Sequence, residues 1–98
     1  MDNSIKLVYD SIIDFAKLFK VNKVVLFGSR ARGTNQEKSD IDIAIYGCND
    51  FEKFKLKIDE ELWSLLQVDI INMDEAYISE DLINEIERDG VILYEKIW

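Results

Sequence analysis

Residues 24–47, VVLFGSRARGTNQEKSDIDIAIYG, contain two apolar runs joined by about a dozen mostly polar residues. The first run ends at Gly28-Ser29, and the second, residues 40–46, alternates between the two faces as a half-buried strand does. Asp40 and Asp42 are unusual in this second run, because Asp is a poor strand former and a buried carboxylate is costly unless something pairs with it. The sequence therefore indicates a function for these two carboxylates that is connected with the Gly-Ser turn before them.

The composition is that of one globular domain over residues 1–98, with 48% hydrophobic and 33% charged residues. The chain has no histidine and only one cysteine, Cys48, which argues against a structural zinc site and indicates the reducing cytoplasm. No apolar run approaches the ~18 residues of a membrane span, and the N-terminus lacks the pattern of a signal peptide. The net charge of −8 leaves no basic surface for direct nucleic-acid binding.

Hydrophobic spacing predicts the order helix, strand, turn, strand, helix, strand, helix, strand. Helices are predicted over residues 4–20, over residues 49–66 and after residue 79, and strands over residues 23–27, 40–46, 68–72 and 91–94. This order predicts an α/β fold with a mixed sheet of about four strands flanked by about three helices. The first two strands are expected to be antiparallel because their connection is short. The third strand is expected to neighbour the second after a helical crossover.

Three helix ends are predicted from the sequence. Asn49 and Glu52 have the spacing of a capping box, which places the start of the second long helix at Asn49. Ser79 is predicted to cap the following helix. Gly90 lies where the C-terminus of that helix favours a left-handed residue.

Gly28 and Ser29 are the candidates for binding the phosphates of a nucleotide. A glycine at the end of a buried strand lets phosphates approach the backbone, and a short helix starting at Ser29 would add N–H groups and a hydroxyl. Gly28 and Gly33 match half of a Walker loop, but Thr34-Asn35 stands where Lys-Ser/Thr is required. The Rossmann pattern GxGxxG is also missing. The turn is therefore typical of neither of these nucleotide-binding folds.

Asp40 and Asp42 are the candidates for binding a metal ion. Two residues apart on one strand, their carboxylates project from the same face and repel each other unless a cation lies between them. Their hard oxygen atoms suit Mg²⁺, which would hold a triphosphate. Asp69 is the one charge in the apolar run of the third strand, and it could ligate the catalytic ion and accept the proton of an attacking hydroxyl. The sequence thus predicts one or two Mg²⁺ ions held by these three carboxylates.

The pattern Gly-Ser, ten residues, then Asp-x-Asp, in FGSRARGTNQEKSDIDIAI, resembles the signature of the DNA polymerase β-like nucleotidyltransferase superfamily. It is most similar to the minimal nucleotidyltransferase (MNT) branch, whose members are stand-alone domains of about this length. The resemblance covers essentially the whole chain and implies an Mg²⁺-dependent transferase. It assigns roles to seven residues: phosphate binding to Gly28, Ser29, Arg30 and Arg32, and metal binding and catalysis to Asp40, Asp42 and Asp69.

The resemblance also implies a substrate and a partner. Minimal nucleotidyltransferases of this type are commonly encoded beside HEPN-domain toxin proteins and act as antitoxins, and some transfer AMP from ATP to a tyrosine of the toxin. The chain lacks the extra domains with which polymerases and antibiotic-modifying relatives bind their acceptors, so another molecule is expected to deliver the acceptor. Two alternatives stay open: a non-catalytic antitoxin that masks its partner, and a transferase acting on a small hydroxylated molecule. The sequence is compatible with a homo- or hetero-oligomer and does not specify the oligomeric state.

Overall fold

The computed structural model describes residues 3–62, 67–75 and 77–97 of the 98-residue chain. The helices of these ranges are α1 (Asn3–Leu18), α2 (Gly28–Arg32), α3 (Phe51–Leu62) and α4 (Glu80–Asp89), and the strands are β1 (Lys23–Phe27), β2 (Ile41–Tyr46), β3 (Val68–Asn72) and β4 (Val91–Glu95). No helix within the described ranges is both long and apolar enough to cross a lipid bilayer. The predicted element order is confirmed, with α2 as a fourth, short helix.

The four strands form one mixed sheet in the order β3-β2-β1-β4. β1 pairs antiparallel with both β2 and β4, whereas β2 and β3 are parallel. The short β1–β2 connection carries α2, and α3 makes the crossover that a parallel pair requires. The predicted antiparallel pairing of the first two strands is confirmed. The predicted position of the third strand beside the second is confirmed as well.

The two faces of the sheet are covered by different helices. On one face, Ile41, Ile43 and Ile45 of β2 are fully buried against apolar residues of α1 and α3. On the other face, Ala44 of β2 packs in a smaller cluster with β1 residues and with Ile86 of α4. Asp42 belongs to this second face, because alternate residues of a strand point to the same side. The second face therefore carries the carboxylates, and the first carries most of the core.

Of the three helix ends predicted from the sequence, one is confirmed by the structure. The Ser79 hydroxyl accepts a hydrogen bond from the Leu82 N–H at 3.3 Å, which confirms the predicted cap. The cap predicted at Asn49 is wrong: the Asp50 side chain accepts from the Lys53 N–H at 3.3 Å, and α3 begins at Phe51. The predicted last turn of that helix, residues 63–66, lies outside the described residues.

Gly90 is also not the left-handed residue that was predicted. Its backbone is extended, with φ −63° and ψ 143°, and its N–H donates to the Ile86 carbonyl oxygen at 2.8 Å. A Cβ atom at this position would collide with that carbonyl oxygen and crowd the Val25 side chain. Close packing of the helix end on β1, and not a positive φ, is the reason for a glycine here.

Candidate active site

Phe27, Asp42 and Asp69 form one row across three neighbouring strands. Phe27, the last residue of β1, is paired with Asp42, and Asp42 is paired with Asp69. Neighbouring strands lie ~4.8 Å apart, so this register places the Asp42 and Asp69 carboxylates side by side on the same face. Gly28 and α2 follow directly after Phe27. The sheet therefore brings the Gly-Ser turn and two of the three predicted carboxylates to one place.

The surroundings of Asp42 raise the pKa of its carboxyl group from 3.8 to about 6. Partial burial is the largest cause, because it removes water from the charged form. The Asp69 carboxylate, which lies within hydrogen-bonding reach, is the next cause, followed by the charges of Asp40 and Glu85. The carboxyl group of Asp42 thus lies in a negatively charged environment that disfavours its ionised form.

Gly28 lies directly against the Asp42 side chain. Its φ is +76°, a left-handed value that glycine adopts without strain. A Cβ atom added at Gly28 would overlap Oδ2 of Asp42. The glycine is therefore needed both for its backbone conformation and for the space that the carboxylate occupies.

Ser29 lies in the first turn of α2, as the sequence predicts. It is half-buried, and its carbonyl oxygen accepts hydrogen bonds from the N–H groups of Gly33 and Thr34, which close the end of this short helix. Ser29 is thus fixed immediately beside the glycine that contacts Asp42. Its binding to phosphate remains a prediction.

Arg30 holds the loop that leads to Asp40. Its Nε donates to the Ser39 carbonyl oxygen at 3.0 Å, and its Nη2 donates to the Glu37 carbonyl oxygen at 2.9 Å. The guanidinium also lies against the Tyr9 hydroxyl, where its positive charge opposes the rise in the tyrosine's pKa that burial causes. Arg30 therefore connects α1, α2 and the loop before β2. The predicted contact with phosphate remains a prediction, and these hydrogen bonds show a structural role in addition.

Arg32 points towards α4. Its Nη1 lies 3.4 Å from Oε2 of Glu85, and both side chains are partly exposed. A pair of this kind contributes only ~0–1 kcal/mol to stability. Glu85 is also one of the charges that raise the pKa of Asp42, so Arg32 lies beside the acidic side chains that act on Asp42.

Sequence reasoning missed Gln67, which precedes β3. Its Nε2 donates to Oδ1 of Asp69 at 3.2 Å, and its carbonyl oxygen accepts from the Ile41 N–H at 2.9 Å. Because Gln67 is two residues before Asp69, the period of a strand places both side chains on one face, and this was the signal available in the sequence. Glu85 was also missed, and since it comes from a distant helix, no local pattern pointed to it.

The two adjacent carboxylates fit a magnesium ion. Mg²⁺ typically binds through one or two carboxylates, several waters and the phosphates of its substrate, and so it does not need a complete protein cage. In the described ranges, no three His, Cys, Asp or Glu side chains are grouped closely enough to hold an ion by themselves. Asp40 is exposed and precedes β2, whereas Asp42 and Asp69 lie side by side. The structure thus brings two ligands together and places the third predicted ligand nearby.

Comparison with known families agrees with this arrangement. The family model described as polymerase beta, nucleotidyltransferase matches residues 10–97, which is most of the chain. The chain belongs to this nucleotidyltransferase family. The enzyme class and the family predicted from the Gly-Ser and Asp-x-Asp pattern are therefore confirmed.

Individual relatives of this nucleotidyltransferase include a protein of Methanocaldococcus jannaschii that is named as a candidate protein adenylyltransferase. It is 54% identical over 33 residues, a segment that spans 34% of this chain and 33% of that protein. A crystal structure of a toxin–antitoxin pair with AMP-PNP is similar at a TM-score of 0.67 and 25% identity, covering 90% of this chain and 73% of the other. The Shewanella oneidensis MNT antitoxin complex with a tri-AMPylated HEPN toxin matches at a TM-score of 0.64 and 22% identity, covering 93% and 72%. The minimal nucleotidyltransferase fold is confirmed by this likeness.

Proposed function

We propose that this nucleotidyltransferase transfers AMP from ATP to a tyrosine hydroxyl of a HEPN toxin protein and thereby acts as its antitoxin, in an Mg²⁺-dependent reaction. The observation that carries the proposal is the row in which Asp42 and Asp69 stand side by side next to Gly28. Residues 1–98 would act as one domain, in a hetero-oligomer with the toxin. The AMP-PNP complex and the AMPylated toxin among the similar structures support the choice of nucleotide and acceptor.

The phosphates of ATP would lie at the turn after β1. Gly28 brings this turn directly against the Asp42 carboxylate, and Ser29 in the first turn of α2 would add its hydroxyl. Arg32, which pairs with Glu85, would contact the negatively charged phosphates. Arg30 would contribute mainly by holding the loop before Asp40.

Asp40, Asp42 and Asp69 would hold one or two Mg²⁺ ions. The bound metal would supply positive charge that offsets the negative charge of the phosphates and of the acceptor oxygen. The raised pKa of Asp42 supports this assignment, because an environment that disfavours a second negative charge is one that favours a cation.

The transfer itself needs one bond to form and one to break. The acceptor hydroxyl oxygen bonds to the α-phosphorus while the bond between that phosphorus and the bridging oxygen to the β-phosphate breaks, and pyrophosphate leaves. The hydroxyl proton passes to the Asp69 carboxylate, whose Oδ1 is already held by Gln67. With no histidine in the chain, a carboxylate is the best base available. The protein thus acts mainly by alignment and charge.

A protein acceptor fits this chain better than a nucleic acid. Its net charge of −8 would repel a polynucleotide, whose binding is dominated by contacts between basic side chains and phosphates. The relative named as a candidate protein adenylyltransferase also supports a protein acceptor.

The test is a labelling experiment with ATP that carries the label at its α-phosphate. Wild-type protein, Asp42→Asn and the matched control Asp14→Asn are each incubated with Mg²⁺, labelled ATP and an extract of the source cells, and the products are separated on a denaturing gel. Asp14 is an exposed residue of α1 outside the site. We expect one labelled protein band with wild type and with Asp14→Asn, and none with Asp42→Asn or with EDTA.

The identity of the acceptor follows from mass spectrometry of the labelled band. AMP on a tyrosine of a HEPN protein supports the proposal. If wild type labels no protein but still captures the same partner as Asp42→Asn, the masking antitoxin replaces the transferase. If only small hydroxylated molecules are labelled, the antitoxin role is wrong.

A further inference from the structure

A cleft of about 550 Å³ opens beside Asp69 at the edge of the sheet. Four consecutive residues of β3, 68–71, line it together with Asp42, and Lys55 and Asp59 of α3 form another part of its wall. Successive residues of a strand point to opposite faces, so a cleft that contacts all four must run along the outer edge of the strand. The cleft therefore gives access to the backbone of β3 as well as to the carboxylate pair.

The outer edge of β3 has backbone groups directed away from the sheet. β3 is the outermost strand on its side of the four-stranded sheet formed by the described residues. The Gln67 carbonyl oxygen and the Met73 N–H both bond to β2, at 2.9 Å each. Because backbone direction alternates along a strand, the N–H and C=O groups of Val68 and Ile70 face outward into the cleft. Groups of this kind can pair with an added extended chain.

The cleft extends from the row of Phe27, Asp42 and Asp69 to the outer edge of β3, and its β3 end is the part farther from the proposed phosphate site. Gly28 abuts Asp42 from the β1 side. The lining of the cleft begins at Phe27, crosses Asp42 and Asp69, and continues along β3 to Val68 and Ile70. In phosphoryl-type transfer, the attacking and leaving oxygens are roughly in line, so the acceptor and the pyrophosphate occupy opposite sides of the reacting phosphorus. With the phosphates beside Gly28, an acceptor on the opposite side of the phosphorus would lie in the part of the cleft next to β3.

The charged residues of the cleft wall are available to a ligand. Lys55 and Asp59 are four residues apart on α3, so they share one face of the helix. In the part of the chain that the structure describes, neither takes part in an ion pair. A positive and a negative group beside the outer strand edge of the described sheet suit a polypeptide with charged side chains better than a small uncharged molecule.

We propose that this cleft is the acceptor site, and that the acceptor enters as an extended polypeptide segment that pairs with the outer edge of β3 and presents its hydroxyl to Asp69. The proposal rests on the nucleotidyl transfer proposed above and specifies how the acceptor binds. Lys55 and Asp59 then select the acceptor by contacting charged side chains on either side of the modified residue.

The first test uses charge reversals on α3 with the intact acceptor protein. Lys55→Glu and Asp59→Lys are compared with Lys53→Glu, which reverses a charge of the same helix at an exposed residue that does not line the cleft. We expect kcat/KM for labelling of the acceptor to fall at least tenfold in one or both cleft variants, through KM, and to stay within twofold in the control. The increase in melting temperature with Mg²⁺ and ATP should be the same in all of them. If both cleft variants label the acceptor within twofold of wild type, the proposal is wrong.

The second test is amide hydrogen exchange in the complex with the acceptor and an ATP analogue whose α,β-bridging oxygen is replaced by methylene. We expect the amides of Val68 and Ile70 to exchange at least tenfold more slowly on acceptor binding, while the inward-facing amide of Asp69 changes little. Uniform slowing along β3, or none, would contradict strand pairing. A wild-type protein that labels no acceptor at all would instead count against the proposed function, and this is seen before any variant is made.

Discussion

The Asp42–Asp69 pair makes a clear prediction about stability. Asp42→Asn keeps the size of the side chain, removes one of two adjacent negative charges and lets an amide donate to Asp69. In metal-free protein this variant should be more stable than wild type at neutral pH, although it should lose all transfer activity.

The size of the effect follows from the pKa of Asp42. A rise from 3.8 to about 6 would correspond to about 3 kcal/mol for a fully buried group. Asp42 is only half-buried, and screening by solvent reduces the destabilisation to about 1–2 kcal/mol.

The sign of the pH dependence follows from proton binding. Between pH 3.8 and about 6 the folded wild type keeps a proton that the unfolded chain has released, so its stability falls as the pH rises through this range. Above pH 6 the ionised Asp42 carboxylate destabilises the folded protein by the full amount. At pH 5 roughly half of this destabilisation remains.

The assay is urea unfolding in EDTA, from pH 8 to pH 5, of wild type, Asp42→Asn and the control Asp14→Asn. The stability advantage of Asp42→Asn should be about 1–2 kcal/mol at pH 8 and should shrink as the pH falls below 6. The control should show a small difference that does not depend on pH. An Asp42→Asn variant that is no more stable than wild type at pH 8, or an advantage that stays constant with pH, would refute the close carboxylate pair.

Three further predictions concern the surroundings of the pair. Gly28 and Gly33 have φ values of +76° and +77°, but only a Cβ at Gly28 meets Asp42, so Gly28→Ala should cost about 1–3 kcal/mol more than Gly33→Ala in urea unfolding. Equal costs would mean that the backbone conformation alone requires Gly28. Arg30→Lys should speed amide exchange in residues 34–40, because it loses two hydrogen bonds worth about 1 kcal/mol each; unchanged exchange with weaker ATP binding would instead indicate a phosphate contact. Mg²⁺ with ATP at 100 times the Kd should stabilise wild type by about 2.7 kcal/mol. The resulting rise in melting temperature should be lost in Asp42→Asn, and a rise of equal size in both would argue against metal binding by this pair.

Most of the secondary structure could be predicted because it is encoded in local patterns. The alternation of Ile41, Ile43 and Ile45 identified β2, and Ser79 identified the start of α4. The two wrong predictions have different reasons, of which only the one at Gly90 involves a contact that is distant in sequence. Gly90 is required by packing against Val25, which is distant in sequence, and the neighbouring Asp50 caps α3 in place of Asn49.

The sequence by itself determined the chemistry of this protein. A Gly-Ser turn at the end of one strand and an Asp-x-Asp at the start of the next specify residue types and a spacing that few other functions require, and this pattern was enough to find the nucleotidyltransferase family. Only the tertiary structure decided how these residues meet. Strand register places Asp69 beside Asp42. The guanidinium of Arg30 holds the loop backbone, and among the described residues the outer edge of β3 lies next to the site. Pairing between distant strands and the burial that raises the pKa of Asp42 depend on the whole fold, which no short stretch of sequence encodes.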